Sequence, residues 1–115
     1  MPYYAIGRLH DVNVGPEIVA YLRRIDATLE PFGGRFIIHG GPVRVQEGSW
    51  SGDLIVIEFP DEESASAWYD SPAYREILTL RTENSRGDVF FVHGVSAGHK
   101  ATDVLIGLPM DQPLG

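Results

Sequence analysis

The chain contains no cysteine, and its nine lysines and arginines are outnumbered by 16 aspartates and glutamates. The lack of cysteine excludes disulfide bonds, thiol nucleophiles and thiolate metal sites, and it fits a cytoplasmic protein. A net charge of −7 without any basic cluster argues against a surface for nucleic acid or for anionic lipid. We therefore expect no nucleic-acid partner and no membrane partner.

Several functional signatures are also missing. The sequence has no phosphate-binding loop, no dinucleotide fingerprint and no serine in a nucleophile elbow, which disfavours nucleotide hydrolysis, Rossmann-type hydride transfer and serine catalysis. Its four histidines are not spaced as metal ligands. We expect neither a metal nor a cofactor. No basic segment followed by an apolar stretch opens the chain, so we expect no secretory signal.

The sequence does contain two successive copies of a strand–helix–strand pattern. Strands show as short apolar runs, and helices show as apolar residues at helical spacing. This β-α-β-β-α-β order predicts an α+β fold with both helices on one face of a four-stranded antiparallel sheet. The second helical stretch is expected to break at Ser71-Pro72, since serine followed by proline is typical of a new helix start. The predicted elements are Tyr3–His10, Pro16–Phe32, Arg35–His39, Asp53–Phe59, Asp61–Ser85 and Asp88–Val95.

Two of the strands are apolar on both faces. Leu54–Ile57 and Val89–Val92 show no alternation with polar residues, as in strands that are covered on both sides. The helices cover one face only, so the other face needs a second copy of the chain. We therefore predict a homodimer that forms through the sheet.

The pattern indicates one domain over residues 1–95, followed by a tail over residues 96–115. The tail becomes small and polar and then ends in the apolar run Val104–Pro109. An apolar run is unusual in a free terminus. We expect it to dock on its own domain or on a partner.

Four stretches together resemble one small bacterial family, domain of unknown function 1330. The resemblance spans residues 3–95, and the order and spacing of the stretches carry it. They are Gly33-Gly34-Arg35-Phe36 with His39-Gly40-Gly41, then Glu47-Gly48-Ser49-Trp50, then Ile57-Glu58-Phe59-Pro60, and finally Trp68-Tyr69-Asp70-Ser71-Pro72-Ala73-Tyr74 running to Leu80-Arg81.

This resemblance implies a ferredoxin-like protomer of the dimeric α/β-barrel superfamily, in which the sheets of two protomers pack together. It implies no activity, because the family's function is unassigned. Members of the superfamily include cofactor-independent monooxygenases, lactone isomerases and haem-handling enzymes, so the fold alone does not decide the function. The family often has arginine before the double glycine, where this chain has His39. Either a pocket charge is missing, or the site is adapted to proton transfer.

His39 and Arg81 are the candidate catalytic residues. Simple alternation along its strand places His39 on one face with Arg35 and Ile37. It is either a solvent-tolerant edge histidine or a general acid or base in a cleft. Arg81 continues the helical apolar stripe of Tyr74 and Leu78. Its guanidinium therefore either pairs with an internal carboxylate such as Glu58 or binds an acidic ligand.

The candidate substrate-binding residues are Trp50, Trp68, Tyr74, Arg35 and Glu47. Glu47 and Trp50 either anchor a turn or cover a ligand, and the aromatic residues either fill the core or form an apolar wall.

Two functions are open at this point. The first is a cofactor-independent enzyme with isomerase-like, cyclase-like or monooxygenase-like proton-transfer chemistry on a small oxygenated or carboxylated metabolite. The second is a non-catalytic ligand-binding or accessory dimer that uses the same cleft. A partly buried His39 facing Arg81 across a pocket would favour the first. A filled interior with Arg81 paired to Glu58 would favour the second.

Overall fold

The computed structural model describes residues 2–107. Its strands are β1 (Tyr3–His10), β2 (Arg35–His39), β3 (Asp53–Phe59) and β4 (Arg86–His93), and its helices are α1 (Pro16–Leu29), α2 (Glu62–Asp70) and α3 (Pro72–Thr82). Short 3-10 helices cover Glu30–Phe32 and Ala101–Leu105. None of the helices in the described part of the chain is both long enough and apolar enough to cross a bilayer.

The four strands form one antiparallel sheet in the order β2-β3-β1-β4. The helices pack on one face, which we call the inner face and which carries Ala5, Ile55 and Ile57. The opposite, outer face carries the residues that alternate with these, among them Val56 and Phe90. This ferredoxin-like α+β architecture confirms the predicted fold class.

The ends of the helices follow the residues at their boundaries. Gly15 precedes α1, whose first residue is Pro16. The side chain of Asp61 accepts a hydrogen bond from the Ser64 amide at 2.7 Å and so caps α2. Ser71 is extended and its hydroxyl accepts from the Tyr74 amide at 3.3 Å, so a new helix starts there. The predicted break at Ser71-Pro72 is confirmed.

The bounds of three predicted elements differ in the structure, and the second helical stretch ends at Thr82 instead of Ser85. The first helical stretch tightens into the 3-10 turn Glu30–Phe32, and Gly33 at φ 71° ends it. Strand β4 begins at Arg86 and ends at His93, where the pattern predicts Asp88–Val95. It starts earlier because Arg86 and Gly87 pair with His10 and Leu9 of β1.

The core lies between the helices and the inner face. Its most deeply buried large side chains are Leu29, Phe59, Tyr74 and Ile77. Together they bury the apolar sides of all three helices against the sheet, which is the main favourable term for folding.

The outer face has no covering layer in the described part of the chain. Its apolar side chains include Phe90 at 51% exposed, Val92 at 43% and Ile38 at 40%. In the tail, Val104 and Ile106 are exposed as well. Docking of the tail on its own domain or on a partner stays a prediction, and residues 108–115 lie outside the described range.

Gly87 provides a test of the β1–β4 pairing. It sits at φ 153°, and a Cβ atom there would overlap the carbonyl oxygen of Arg8. We expect Gly87→Ala to lower the free energy of unfolding by about 1–3 kcal/mol or more. Gly98→Ala is the matched control, because a Cβ at Gly98 meets nothing within 4 Å. Equal urea midpoints for the two variants would contradict this placement of β4.

Candidate functional site

A cavity of about 290 Å³ lies between the inner face of the sheet and helices α1 and α3. Most of its lining is apolar, with a small number of polar side chains, as is usual for small-molecule sites. The apolar lining includes Ile18, Ile25, Phe36, Ile55, Ile57 and Trp68, and the polar lining includes Tyr21, His39, Asp53, Tyr74, Arg81 and Ser85.

An irregularity in β2 turns His39 toward this cavity. Phe36 pairs with Ile57 and His39 pairs with Ile55, while the register shifts between Phe36 and Ile38. Ile37 is therefore the extra residue of a β-bulge. The expectation that His39 shares a face with Arg35 and Ile37 is wrong, because it assumed strict alternation. Across the bulge His39 joins Phe36 on the inner face, and their rings stack at 4.3 Å between centroids.

His39 is nevertheless an exposed residue. A lining residue that is exposed shows that the cavity opens to solvent on the side of β2. Gly40 and Asp53 line the cavity next to it. His39 therefore borders both the cavity and the solvent.

Tyr21 and Tyr74 form a polar contact at the helical wall of the cavity. Their hydroxyl oxygens are 2.8 Å apart, and their rings meet edge to face with centroids at 6.2 Å. Both side chains are buried. The hydroxyl of Ser71 positions Tyr74 by starting α3 three residues earlier. This bond therefore joins α1 to α3 inside an otherwise apolar wall.

Arg81 lines the cavity beside this pair. It is half-buried, and its guanidinium carbon lies 5.9 Å from the centre of the Tyr21 ring. Burial raises the pKa of Tyr21, as does neighbouring Tyr74, whereas the positive charge of Arg81 opposes that rise. Burial lowers the pKa of Arg81, but nearby Tyr74 and Tyr21 outweigh burial and the net change is upward. Arg81 is thus a permanent cation, and Tyr21 is a neutral donor at physiological pH.

Glu58 does not pair with Arg81. Its carboxylate accepts two hydrogen bonds from Arg35, at 2.7 and 3.0 Å, on the outer face of the sheet. Among the ion pairs within residues 2–107, none involves Arg81. The interpretation of Arg81 as the partner of Glu58 is therefore wrong, and the reason is that Glu58 alternates with Ile57 onto the opposite face.

Trp68 and Tyr74 both line the cavity and are both deeply buried, each at 2% exposed. The indole nitrogen of Trp68 donates to the hydroxyl of Thr28 at 3.0 Å. That hydroxyl in turn donates to the carbonyl of Ile25 at 2.6 Å. The polar tips of these aromatic residues are thus bonded within the protein, and their rings form the wall.

Three of the candidate residues lie away from the cavity. Arg35 is held by Glu58 on the outer face. Glu47 is exposed in the loop between β2 and β3. The indole of Trp50 donates to the Gly52 carbonyl at 3.0 Å, and the Arg8 guanidinium lies over its ring at 5.6 Å. The structure therefore brings together His39, Arg81, Trp68 and Tyr74, and it separates Arg35, Glu47 and Trp50 from them.

Tyr21 is not among the residues predicted for the site, because a tyrosine at helical spacing among apolar residues is typical of a core position. Its polar tip was the available signal, since a buried tyrosine hydroxyl needs a hydrogen-bond partner. In the described range, no group of three or more histidine, aspartate or glutamate side chains is arranged to hold a metal ion.

The sheet order, the helices on one face and the cavity between them define the chain as a ferredoxin-like α+β protein. Residues 2–95 match the family model described as a domain of unknown function, DUF1330. The protein belongs to this family. Comparison with curated proteins finds no match.

Solved structures share the fold at low sequence identity. A protein of unknown function from Rhodopseudomonas palustris, RPA0582, is 20% identical with a TM-score of 0.61, and the match covers 83% of each chain. A dimeric ferredoxin-like protein of unknown function from a Jannaschia species is 13% identical with a TM-score of 0.56, covering 82% of this chain and 100% of that one. A variant of SnoaB, a cofactor-independent oxygenase from Streptomyces nogalater, is 13% identical with a TM-score of 0.51, covering 86% and 98%. At these identities the likeness shows the fold alone.

The buried phenol of Tyr21 predicts a loss of stability in alkali. Its pKa is raised above 10.0 in the folded protein, so above pH 10 the unfolded chain releases a proton that the folded chain keeps. The stabilisation is complete below pH 10 and then falls by at most about 1.4 kcal/mol per pH unit.

The measurement is urea denaturation at several pH values between neutrality and the alkaline range. Tyr21→Phe lacks the titrating phenol, so its stability should decline less steeply above pH 10 than that of the wild type. Parallel declines would show that Tyr21 titrates equally in the folded and unfolded states.

Proposed function

We propose that the protein is a homodimeric, cofactor-independent enzyme that transfers a proton on a small oxygenated or carboxylated metabolite. The observation that carries the proposal is that one apolar cavity is lined by both His39 and Arg81. A histidine has an ordinary pKa near neutrality and suits general acid–base catalysis. A fixed cation that lines the same cavity can stabilise the negative oxygen that forms when a carbon acid loses its proton.

In the proposed step, a ring nitrogen of neutral His39 takes a proton from a carbon next to a carbonyl. The electrons of that C–H bond form a carbon–carbon double bond, and the π electrons of the carbonyl move to its oxygen. The product is an enolate, which Arg81 holds. His39 then returns the proton to another position, so the net change is an isomerisation. Trp68 and Tyr74 would form the apolar wall against which the substrate lies.

One observation favours the alternative of a non-catalytic ligand-binding or accessory dimer. His39 is exposed, and a histidine in solvent is the simpler edge residue. The two proposals share the cavity and the ligand contact of Arg81, and they differ only in whether a proton moves. Their separation therefore requires a measurement of proton transfer.

Phenylpyruvate is a suitable probe, because it combines an apolar ring, a carboxylate and an enolisable carbon. We expect the wild type to accelerate its keto–enol conversion, followed by the ultraviolet absorbance of the enol. His39→Gln should keep the fold and lose most of the rate. His10→Gln is the control, since His10 is not among the residues that line the cavity.

Saturable binding of phenylpyruvate without acceleration would support the ligand-binding alternative instead. A His39→Gln variant that matches the wild type at every pH would contradict the proposed proton transfer.

The proposed homodimer rests on the outer face of the sheet. Phe90 and Val92 are about half exposed there, at 51% and 43%, and a patch of such residues is unusual on a stable monomer. The fold is shared with a Jannaschia protein that is described as dimeric. Two outer faces packed together would remove these side chains from water.

We expect sedimentation of the wild type at micromolar concentration to give a dimer, and Phe90→Lys to give a monomer because it would place a charge on the buried outer face. Val19→Lys is the matched control, since Val19 is an exposed valine on α1, away from the sheet. A wild type that sediments as a monomer would overturn the proposed assembly.

A further inference from the structure

Tyr21, Tyr74 and Arg81 form a polar group at the helical wall of the cavity, and the hydrogen-bond donors of this group can be counted. The hydroxyls of Tyr21 and Tyr74 lie 2.8 Å apart and share one hydrogen bond. Each hydroxyl carries one proton, so the bond between them uses one proton and leaves the other available. The guanidinium of Arg81, 5.9 Å from the Tyr21 ring, adds N–H donors and has no acceptor.

The charge of this group also favours an acceptor. Arg81 is a cation, and burial raises the pKa of Tyr21, so the phenol stays protonated beside it. A second cation would be repelled here. A neutral apolar group would leave the spare phenolic proton of the buried Tyr21–Tyr74 pair without a partner, which is costly in a buried site. The group is therefore suited to an acceptor with negative charge.

We propose that Tyr21, Tyr74 and Arg81 together bind the anionic oxygen of an otherwise apolar ligand, that is, an enolate, phenolate or carboxylate oxygen. The inference rests on the proposed function, since it assigns the place where the oxygen of that substrate is held. It makes Tyr21 and Tyr74 specificity-determining residues rather than core aromatics. The body of the ligand lies against Ile18, Ile25 and Trp68.

The test uses para-nitrophenol as the probe, because its phenolate and phenol forms differ in visible absorbance. Titration into the full-length protein should show binding as the phenolate, with a lowered apparent pKa of the bound probe. Its methyl ether, para-nitroanisole, has the same apolar body and no acidic oxygen, and it should bind at least about 10-fold more weakly than the phenolate.

The variants Tyr21→Phe, Tyr74→Phe and Arg81→Met should each weaken phenolate binding by about 10-fold to 100-fold, with little change for the ether. Tyr69→Phe is the matched control, because Tyr69 lines the same cavity and lies outside the group. Competition by benzoate distinguishes a carboxylate ligand from an enolate or phenolate ligand. Displacement shows that a carboxylate binds to the same three residues, and lack of displacement restricts them to enolates and phenolates.

Thermal unfolding of each variant identifies any that do not fold. Tyr74 is the most buried of the three, so Arg81→Met, at the half-buried edge, keeps the test valid if Tyr74→Phe is unstable. Folded variants that bind the phenolate as the wild type does, or an ether that binds as tightly as the phenolate, would overturn the inference. Its failure is distinct from failure of the proposed enzyme, which is measured by phenylpyruvate conversion in His39→Gln.

Discussion

The hydrogen bond between the hydroxyls of Tyr21 and Tyr74 joins α1 to α3 at the wall of the cavity. The two rings meet edge to face between α1 and α3, so the helices contact each other through two aromatic side chains whose hydroxyls are hydrogen-bonded. The bond places both hydroxyls at the helical wall of the cavity.

The neighbouring polar contacts support the same arrangement. The Ser71 hydroxyl caps the N-terminus of α3 and thereby fixes the position of Tyr74. The hydroxyl of Thr28, on α1, accepts a hydrogen bond from the indole of Trp68. Within the described residues, no buried side-chain nitrogen or oxygen lacks a hydrogen-bond partner. A fully satisfied polar network is rigid, and a rigid wall is what a site needs to hold a small ligand in one orientation.

The fold could be predicted from the sequence because glycine, proline and capping residues mark the ends of its elements. In addition, segments with apolar residues at helical spacing lie between the strands of each strand–helix–strand unit. The site was predictable only in part. Ile37 and Ile38 are both apolar, so nothing in the pattern of β2 reveals which of them is the extra residue and on which face His39 falls. The partner of Glu58 depends on the register of β2 against β3, and the contact of Tyr21 with Tyr74 depends on how α1 crosses α3. Both are tertiary facts that local patterns do not contain.

The bulge at Ile37 also places the two basic residues of β2 on opposite faces of the sheet. Before it, Arg35 lies on the outer face with Glu58, and after it His39 lies on the inner face with Phe36. A regular strand would have placed both basic residues on the same face. With the bulge, the Arg35 charge is neutralised by Glu58 on the surface proposed for dimerisation, and His39 is directed into the cavity that Arg81 lines. One inserted residue thus allows a short edge strand to present one side to the proposed dimer interface and the other side to the cavity.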